Sequence, residues 1–460
     1  MGSTGMNAMK YGSSGNKYSF FPAMRNGSPW VRLSALLWGL GCLVRRQFVK
    51  GFLFLAAEAA IILYMIRTGL YNLDKLMTLG TVAQQKIWNE AKSIFEYLDG
   101  DRSLNILLYG IVTAAVVVLA FILLRASVIS AYRAEVSWKK YGKAAPYHEE
   151  AKAFLDDRLQ ITLLLFPIIG ITAFILLPLI FMSCMAFTNY SVLDSKLVLF
   201  DWVGLDNFRR VLSFSSSLGK TFWSVLGWTL VWAVVATFSN YILGMLLAIF
   251  INWKEIRLKK FWRFNFVLTV AVPHFVTLLI MRQMLQPNGA VNVLLMNMGW
   301  ISEPLPFFTD TTWARVTVVL INIWVGVPYT LLQTTGILQS IPQELYESAR
   351  VDGANAFVTF RRITLPYMLF VTTPYLITTF TGNINNFNVI YLTSTGLPRA
   401  VGSTAGDTDL LITWLYKLTI DNQYYDVGAV IGIMTFITLS IASLLTFRFS
   451  GSYRNEEGFR

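Results

Sequence analysis

The stretch 347–366 reads ESARVDGANAFVTFRRITLP, a charged and polar sequence that lies between two long apolar segments. Upstream of it, Ser340 is a typical helix-capping residue. The dipeptide Asp352-Gly353 predicts a turn, because glycine adopts positive φ at little steric cost. We therefore expect two short helices joined at this turn, with Pro366 opening the next apolar helix.

The rest of the chain has the composition of a membrane protein. Of its 460 residues 55% are hydrophobic and only 14% are charged, whereas soluble domains average about 25% charged residues. A helix needs roughly 20 apolar residues to cross the hydrocarbon core. Eight segments meet this requirement: 51–71, 104–125, 160–188, 224–251, 261–284, 313–338, 367–393 and 427–448. The sequence therefore predicts an all-α, polytopic membrane protein with about eight transmembrane helices.

The charges predict the orientation of these helices. With the N-terminus inside the cell, the inner segments are 1–50, 125–159, 252–263, 339–366 and 448–460. They hold 25 of the 38 Lys and Arg residues but only 11 of the 26 Asp and Glu residues. Because positive charge concentrates on the cytoplasmic side, we expect a multi-pass plasma-membrane protein with both termini in the cytoplasm. The topology thus explains the net positive charge of the chain, and a nucleic-acid partner is not needed to account for it.

The spacing E-S-A-x3-G-x9-I-x-L-P, from Glu347 to Pro366, resembles the EAA loop of bacterial ABC importer permeases. Family members usually have alanine at position 348, and the serine found here is also small. The strings FTNYS at 187–191 and VGLDNF at 203–208 are similar to sequences of ABC sugar permeases. The resemblance therefore covers most of 160–450 and implies a type I importer permease core. The eight-helix plan further resembles the MalF-type maltose and maltodextrin permeases.

The resemblance implies that the loop docks on a cytoplasmic ATPase. Glu347 would then meet basic groups of the ATPase, and Gly353 would allow the docking turn. The alternative interpretation is an ordinary solvated loop. The residues expected to couple the two proteins are Glu347, Ser348, Ala349, Asp352, Gly353, Ile363, Leu365 and Pro366.

Four regions are expected along the chain. They are a cytoplasmic disordered tail with a basic amphipathic approach (1–50), an N-terminal transmembrane hairpin with its cytoplasmic connection (51–155), a six-helix permease core with the coupling loop 340–366 (156–450), and a cytoplasmic tail (451–460). Residues 29–50 are expected to lie on the inner membrane surface. The outer connection 72–103 shows helical periodicity.

Two intramembrane clusters suggest a substrate path. The segment 324–329 reads WVGVPY, and 381–388 reads TGNINNFN, with four asparagines within six residues. Asparagines are unfavourable against lipid and favour a cavity, and amides and aromatic rings suit sugars. The resemblance implies that Gly326, Tyr329, Asn383 and Asn386 line the sugar site, whereas Gly382 replaces an aromatic residue found in enterobacterial relatives. The alternative role is hydrogen bonding between packed helices.

Other polar residues are interpreted as structural. Gly219-Lys220-Thr221 resembles the end of a P-loop, but that motif needs glycine at 214, where the chain has Phe214. We therefore expect no cofactor on this chain, with ATP and Mg²⁺ on a separate ATPase, and neither a catalytic nor a metal site. Glu58 and His274 are expected to have packing roles.

These observations predict a permease subunit of an ATP-driven importer for malto-oligosaccharides. The expected partners are a second permease, two copies of the ATPase, an extracellular solute-binding protein, the oligosaccharide and membrane lipid. An importer for another oligosaccharide or a polyol is the nearest alternative. An ion-coupled secondary transporter is a further alternative, and it would need buried acidic residues in the core helices. A membrane-anchored scaffold would leave the asparagine cluster unexplained.

Overall fold

The computed structural model describes residues 18–90, 94–144, 159–253 and 255–449, together with Lys152 and Asp156. It forms two compact units, Met1–Cys184 with Lys196–Trp202, and Met185–Ser195 with Val203–Arg460. The predicted tail at 451–460, the first 17 residues and most of the connection 145–158 lie outside the described residues. The predicted functional boundary near residue 156 stays a prediction.

The first unit is built mainly from long apolar helices. Its elements are α1 (Phe20–Asn26), α2 (Pro29–Leu33), α3 (Leu40–Val44), α4 (Phe48–Tyr64), α5 (Leu70–Lys75), β1 (Gln85–Asn89), β2 (Ile94–Leu98), α6 (Ser103–Tyr141), α7 (Leu159–Ile171) and α8 (Leu177–Met185). Single π-helical turns join α4 to α5 and α7 to α8. The helix α4 therefore continues into α5 as one span, Phe48–Lys75.

The N-terminal segment packs against the charged end of α6. We call residues 20–47, which contain α1, α2 and α3, the collar. Its buried residues Ala23, Val31 and Cys42 form one cluster with Val128 and Ala131 of α6. Residues 20–26, which were expected to belong to the disordered tail, are thus helical and anchored, because Ala23 and its neighbours bury apolar surface against α6.

A buried carboxylate fixes the collar to α6. Glu135 is 3% exposed, and its Oε2 accepts hydrogen bonds from the Arg45 guanidinium at 2.9 Å and the Ser28 backbone N–H at 3.0 Å. Lys139 completes the cluster, with Nζ 2.6 Å from Glu135 Oε1. On the neighbouring helix, Glu58 Oε2 accepts a hydrogen bond from the Trp38 N–H at 2.7 Å. This contact agrees with the packing role expected for Glu58.

A β-hairpin occupies the outer connection, where the sequence predicts helical periodicity. Strands β1 and β2 are antiparallel, with Trp88 opposite Phe95. The helical expectation is wrong here because alternating apolar residues pair across the two strands. Asp101 closes the base by accepting hydrogen bonds from Lys75 and from the Thr81 and Val82 backbone N–H groups. Hydrogen bonding to Lys75 lowers the pKa of Asp101 well below its usual range.

The second unit contains the coupling loop and the asparagine cluster. Its helices are α9 (Asp206–Leu212), α10 (Ser217–Asn252), α11 (Lys259–Ala271), α12 (His274–Met284), α13 (Ala290–Asn297), α14 (Thr311–Ser340), α15 (Gln343–Val351), α16 (Ala356–Thr359), α17 (Leu365–Ile384), α18 (Phe387–Thr393), α19 (Leu411–Tyr416) and α20 (Tyr425–Phe449). A π-helical turn, Phe360–Thr364, joins α16 to α17. The core includes Trp232 and Ala236 of α10 with Val318 and Ile321 of α14.

Seven helices among the described residues are long and apolar enough to cross a membrane, and the bent pair α11–α12 raises the number to eight if it forms one span. The all-α class with about eight spans is therefore confirmed. The segment 261–284, which Pro273, His274 and Arg282 interrupt in the sequence, is a pair of helices that bends by 88°. Pro273 causes the break, since it lacks an N–H and stands in an extended conformation before His274.

The collar clamp yields a stability prediction. Replacing Glu135 with alanine leaves the buried Arg45 guanidinium without its carboxylate, which should cost about 3 kcal/mol of local stability. We expect amide hydrogen exchange across residues 23–45 to accelerate roughly 100-fold. Lys196→Ala is the control, because it removes an exposed ion pair with Asp201. Unchanged collar protection in the Glu135→Ala variant would contradict the clamp.

Candidate functional site

The coupling loop has the turn that the sequence predicts. Helix α15 ends at Val351, and Gly353 adopts φ +72°. The Gly353 N–H donates to the Arg350 carbonyl at 3.0 Å, and the Ala354 N–H donates to the Ala349 carbonyl at 2.9 Å. These two bonds define a Schellman motif, which satisfies carbonyl groups at the end of the helix. The turn is therefore fixed by backbone hydrogen bonds and by a glycine that accepts positive φ.

Two details of the loop differ from expectation. Ser340 does not cap α15, because it is the last residue of α14 and its hydroxyl donates to the Ile337 carbonyl at 2.8 Å. Pro366 does not open a helix, because α16, the π-helical turn and α17 form one helix, Ala356–Ile384. A proline inside a helix deprives the carbonyl four residues earlier of its N–H donor, and the π-helical turn Phe360–Thr364 contains that carbonyl.

Most predicted coupling residues face outward. Among the eight, Ala349 is buried, Ile363 and Leu365 are half-buried, and the remaining five, Glu347, Ser348, Asp352, Gly353 and Pro366, are exposed. Glu347 Oε1 accepts a hydrogen bond from Gln343 Nε2 at 3.0 Å on the same helix. Whether these residues couple to an ATPase stays a prediction, but their exposure leaves them free to bind another protein.

The exposed surface of the loop is also apolar. Val351 is 87% exposed and Phe357 is 67% exposed, and Leu345 on α15 is exposed as well. None of these three residues was among the coupling residues predicted from the sequence. Their hydrophobicity, beside a turn that must lie outside the membrane, is the signal that could have identified them.

Two predicted substrate residues, Asn383 and Asn386, are brought together by the structure. Asn386 Nδ2 donates to Asn383 Oδ1 at 3.3 Å, and Asn383 Nδ2 donates to Thr237 Oγ1 of α10 at 2.9 Å. Asn386 Oδ1 also accepts from the Val389 N–H and so caps α18. The predicted span 367–393 is consequently broken after Ile384, because the asparagine side chains satisfy the backbone at the break.

The other two predicted residues, Gly326 and Tyr329, lie in different environments. Gly326 packs so closely against α10 that an added Cβ would lie 2.7 Å from Cγ of Asn240. Tyr329 is 60% exposed, one turn farther along α14. The predicted four therefore divide into a buried and a half-buried asparagine that are hydrogen-bonded to each other, a helix-packing glycine and an exposed tyrosine. None of these observations tests sugar binding, which stays a prediction.

Sequence reasoning missed two buried asparagines beside Gly326. Asn240 is 7% exposed with Oδ1 lacking a hydrogen-bond partner, and Asn322 is 4% exposed with Nδ2 lacking one. A buried amide without a partner is unfavourable and is found at functional positions. Helical spacing was the available signal, because Asn322 lies four residues before Gly326 and seven before Tyr329.

An apolar cavity of about 620 Å³ lies between α10, α11 and α14. Phe250, Phe266, Trp324 and Val327 line it, and its Thr269 hydroxyl donates to the Phe266 carbonyl. Sugar hydroxyls require hydrogen-bonding groups that this lining lacks. The cavity is therefore separate from the asparagine pair as a candidate site.

Comparisons with known proteins identify the family. The model of the binding-protein-dependent transport system inner membrane component matches residues 240–451. The chain is 34% identical to the galactooligosaccharides transport system permease protein GanP of Bacillus subtilis (strain 168), over 92% of this chain and 98% of that protein. It is also 34% identical to the maltodextrin transport system permease protein MdxF of the same strain, over 92% and 96%. This chain belongs to the family of binding-protein-dependent transport permeases.

A solved structure supports the assignment. The crystal structure of a bacterial alginate ABC transporter in complex with an alginate pentasaccharide-bound periplasmic protein aligns with 64% of this chain and 94% of its own chain, at a TM-score of 0.52 and 25% identity. The predicted recognition of an ABC importer permease is therefore confirmed. The chain is a transport component of the inner membrane rather than an enzyme of its own.

The close packing at Gly326 gives a test with an internal control. Gly326→Ala would place a methyl group against Asn240, which should destabilise the protein by about 1–3 kcal/mol and reduce transport. Gly336→Ala lies on the same helix, and its Cβ would meet nothing within 4 Å. This control should gain about 0.8 kcal/mol from helix propensity. Thermal unfolding and uptake are measured for both variants. Equal unfolding temperatures and equal uptake of the two variants would contradict the packing role of Gly326.

The turn at Gly353 gives a second test. Gly353→Ala should cost about 1–2 kcal/mol, because the strain comes from φ +72° and no neighbour lies within 4 Å of the new Cβ. Gly353→Asn should cost less, because asparagine tolerates this conformation. Gly142→Ala is the control, with φ +68° and equally open surroundings at the end of α6. Substrate-stimulated ATPase activity of the assembled transporter should fall only for Gly353→Ala, and an equal loss for Gly142→Ala would contradict a local coupling role.

Proposed function

We propose that this chain forms half of the translocation path of an ATP-driven importer for malto-oligosaccharides. The carrying observation is the unbroken helix Ala356–Ile384, which begins beside the Gly353 turn and ends next to the Asn383–Asn386 pair. Its 29 residues span about 44 Å at 1.5 Å per residue. One rigid element therefore links the exposed loop with the polar residues proposed to bind sugar.

The class of substrate is supported by both chemistry and relatives. Amide groups exchange hydrogen bonds with sugar hydroxyls, and Asn383 and Asn386 supply a linked pair of amides. The relatives GanP and MdxF are named for galactooligosaccharides and maltodextrin. At Gly382 an added Cβ would meet nothing within 4 Å, so there is open space beside Asn383. Another oligosaccharide, including a galacto-oligosaccharide, or a polyol remains the alternative.

We further propose the partners that such a path requires. A second permease completes the channel, two copies of a cytoplasmic ATPase bind the paired coupling loops, and an extracellular binding protein delivers the sugar. ATP with Mg²⁺ binds the ATPase, and both termini of this chain lie in the cytoplasm. Exposed Val351 and Phe357 support a protein contact at the loop, because large apolar side chains are seldom left exposed beside a polar turn.

The mechanism follows from the continuity of the helix. Closure of the ATPase pair moves α15 and the Gly353 turn, and the helix Ala356–Ile384 carries this displacement to its far end. There, Asn383 is held by Thr237 of α10, so a shift of one helix against the other changes the access to both asparagines. The direction of transport would then follow the nucleotide state of the ATPase.

The ion-coupled alternative has little support in the described part of the second unit. Its buried aspartates include Asp409, which pairs with Lys417 at 2.6 Å, and Asp426, whose Oδ2 lies 3.9 Å from Arg210 Nη1. A buried carboxylate that already has a cationic neighbour is poorly suited to bind a driving ion. We therefore favour ATP as the energy source.

Reconstituted proteoliposomes test the proposal. With the complete transporter and binding protein, uptake of maltotriose should require hydrolysable ATP and should be insensitive to ionophores. Asn383→Leu should reduce uptake at least about tenfold, because it removes the bond to Thr237 and a sugar-binding amide. Asn265→Leu is the control, since Asn265 Nδ2 donates to the Phe261 carbonyl of its own helix, α11. Uptake driven by an ion gradient without ATP would contradict the assignment as an ATP-driven importer. Transport of only galacto-oligosaccharides would contradict the assignment of malto-oligosaccharides as the substrate.

A further inference from the structure

If Arg125 is taken as the end of the apolar part of α6, the collar, residues 20–47, is attached at the depth of the lipid headgroups. It contacts α6 at Val128, Ala131 and Glu135, and the uncharged part of α6 ends at Arg125. At 1.5 Å per residue these contacts lie about 5–15 Å beyond Arg125. The polar layer on each side of the hydrocarbon core is roughly 5–8 Å thick. The attachment therefore falls in and just beyond this layer.

One turn of the collar reaches deeper. Gly39, with φ +80°, packs so closely on α4 that an added Cβ would lie 2.9 Å from the Gly51 Cα atom. The Trp38 N–H donates to Glu58, ten residues beyond the start of α4 at Phe48. The turn before Gly39 thus lies beside the first apolar turns of α4. Leu36, which is 78% exposed, faces outward from this turn.

The exposed face of the collar combines apolar and basic residues. Six large apolar side chains are exposed: Phe21, Trp30, Leu33, Leu36, Leu37 and Val44. Arg25, Arg32 and Arg46 are exposed between and beside them. No acidic residue precedes Glu58 in the chain. Exposed apolar side chains accompanied only by positive charge are the composition of segments that lie in an anionic membrane interface.

We propose that the collar binds anionic phospholipids of the leaflet at which it lies. Leu36 and Leu37 enter the acyl region, and the guanidinium groups of Arg25, Arg32 and Arg46 bind headgroup phosphates in bidentate geometry. Glu135 supports this arrangement, because it pairs with the buried Arg45 and ties the Ser28 backbone to α6. The collar is thereby held in one orientation, with its remaining arginines available to lipid.

The charge of the surface favours lipid over a protein partner. A second subunit would need an acidic surface interrupted by apolar pockets, whereas an anionic leaflet supplies phosphate and acyl chain at the required depths. The orientation expected from the positive-inside rule also places the collar at the cytoplasmic leaflet, whose surface is negative.

A fluorescent label on the collar tests the proposal. Leu36→Cys is labelled with an environment-sensitive dye in a chain carrying Cys42→Ala and Cys184→Ser, and the full chain is placed in nanodiscs of phosphatidylcholine with or without 30% phosphatidylglycerol. We expect quenching by acrylamide, a neutral quencher that the anionic surface does not repel, to fall at least about twofold when the anionic lipid is present. A label at Phe357→Cys on the coupling loop is the control and should show no lipid dependence.

Substitutions of the arginines test whether their charge causes the lipid dependence of the quenching. The triple variant Arg25→Gln, Arg32→Gln, Arg46→Gln should lose the lipid dependence, and the corresponding lysine variant should keep part of it. Arg209→Gln, Lys220→Gln, Arg399→Gln is the control, with equal loss of charge outside the collar, and should behave as the parent protein.

Three results would overturn the proposal. The first is equal quenching in both lipids, and the second is a lipid dependence that survives the glutamine variant. The third is protection of Leu36 that requires the other transporter subunits and ignores lipid charge, which would assign the collar to a protein partner. Native mass spectrometry provides a check that does not use the label. The parent protein should retain phosphatidylglycerol, and the glutamine variant should lose it.

Discussion

The continuity of the helix Ala356–Ile384 is the constraint on which the proposed mechanism depends. Within a membrane each backbone carbonyl must find a donor, so a proline is tolerated inside a spanning helix only where the carbonyl it leaves unpaired is satisfied in another way. The helix contains two prolines, Pro366 and Pro374. A break is avoided at Pro366, because a π-helical turn, Phe360–Thr364, precedes it and contains the carbonyl that lost its donor. The coupling loop and the asparagine pair therefore belong to one mechanical element.

Helix α10 packs against the helix Ala356–Ile384 and holds it in position. Thr237 holds Asn383, and Asn240 occupies the space that Gly326 leaves free on α14. Small residues and interhelical amides are the usual means by which membrane helices pack closely, since lipid provides no hydrophobic driving force between them. Helix α10 thus packs against both predicted substrate segments, through a hydrogen bond at Asn383 and through close contact at Gly326. A sugar-binding residue in this core is inseparable from the packing of the helices that present it.

Sequence patterns predicted the elements better than their breaks. Spans of apolar residues and the turn at Gly353 could be read directly, because length, hydropathy and glycine conformation are local properties. Pro273 marked the interruption of the segment 261–284 but not its 88° angle, whereas Pro366 was expected to open a helix and instead lies inside one. The outcome at each proline depends on the surrounding backbone. The β-hairpin at 85–98 escaped notice because its apolar spacing also suits a helix. Asn240 and Thr237 were missed because the role of a single polar side chain in an apolar helix can be assigned only when the residue opposite it is known.

The central claim is that the helix Ala356–Ile384 moves as a rigid body between the coupling loop and the asparagine pair. Pulsed electron paramagnetic resonance with spin labels at Phe357 and Thr381 tests it most directly, in the assembled transporter with and without ATP. The account predicts a distance near 36 Å along the helix that is unchanged by nucleotide, while the distance from Phe357 to a label at Gly227 on α10 changes. A change of more than about 5 Å, close to one helical turn, between Phe357 and Thr381 would contradict it.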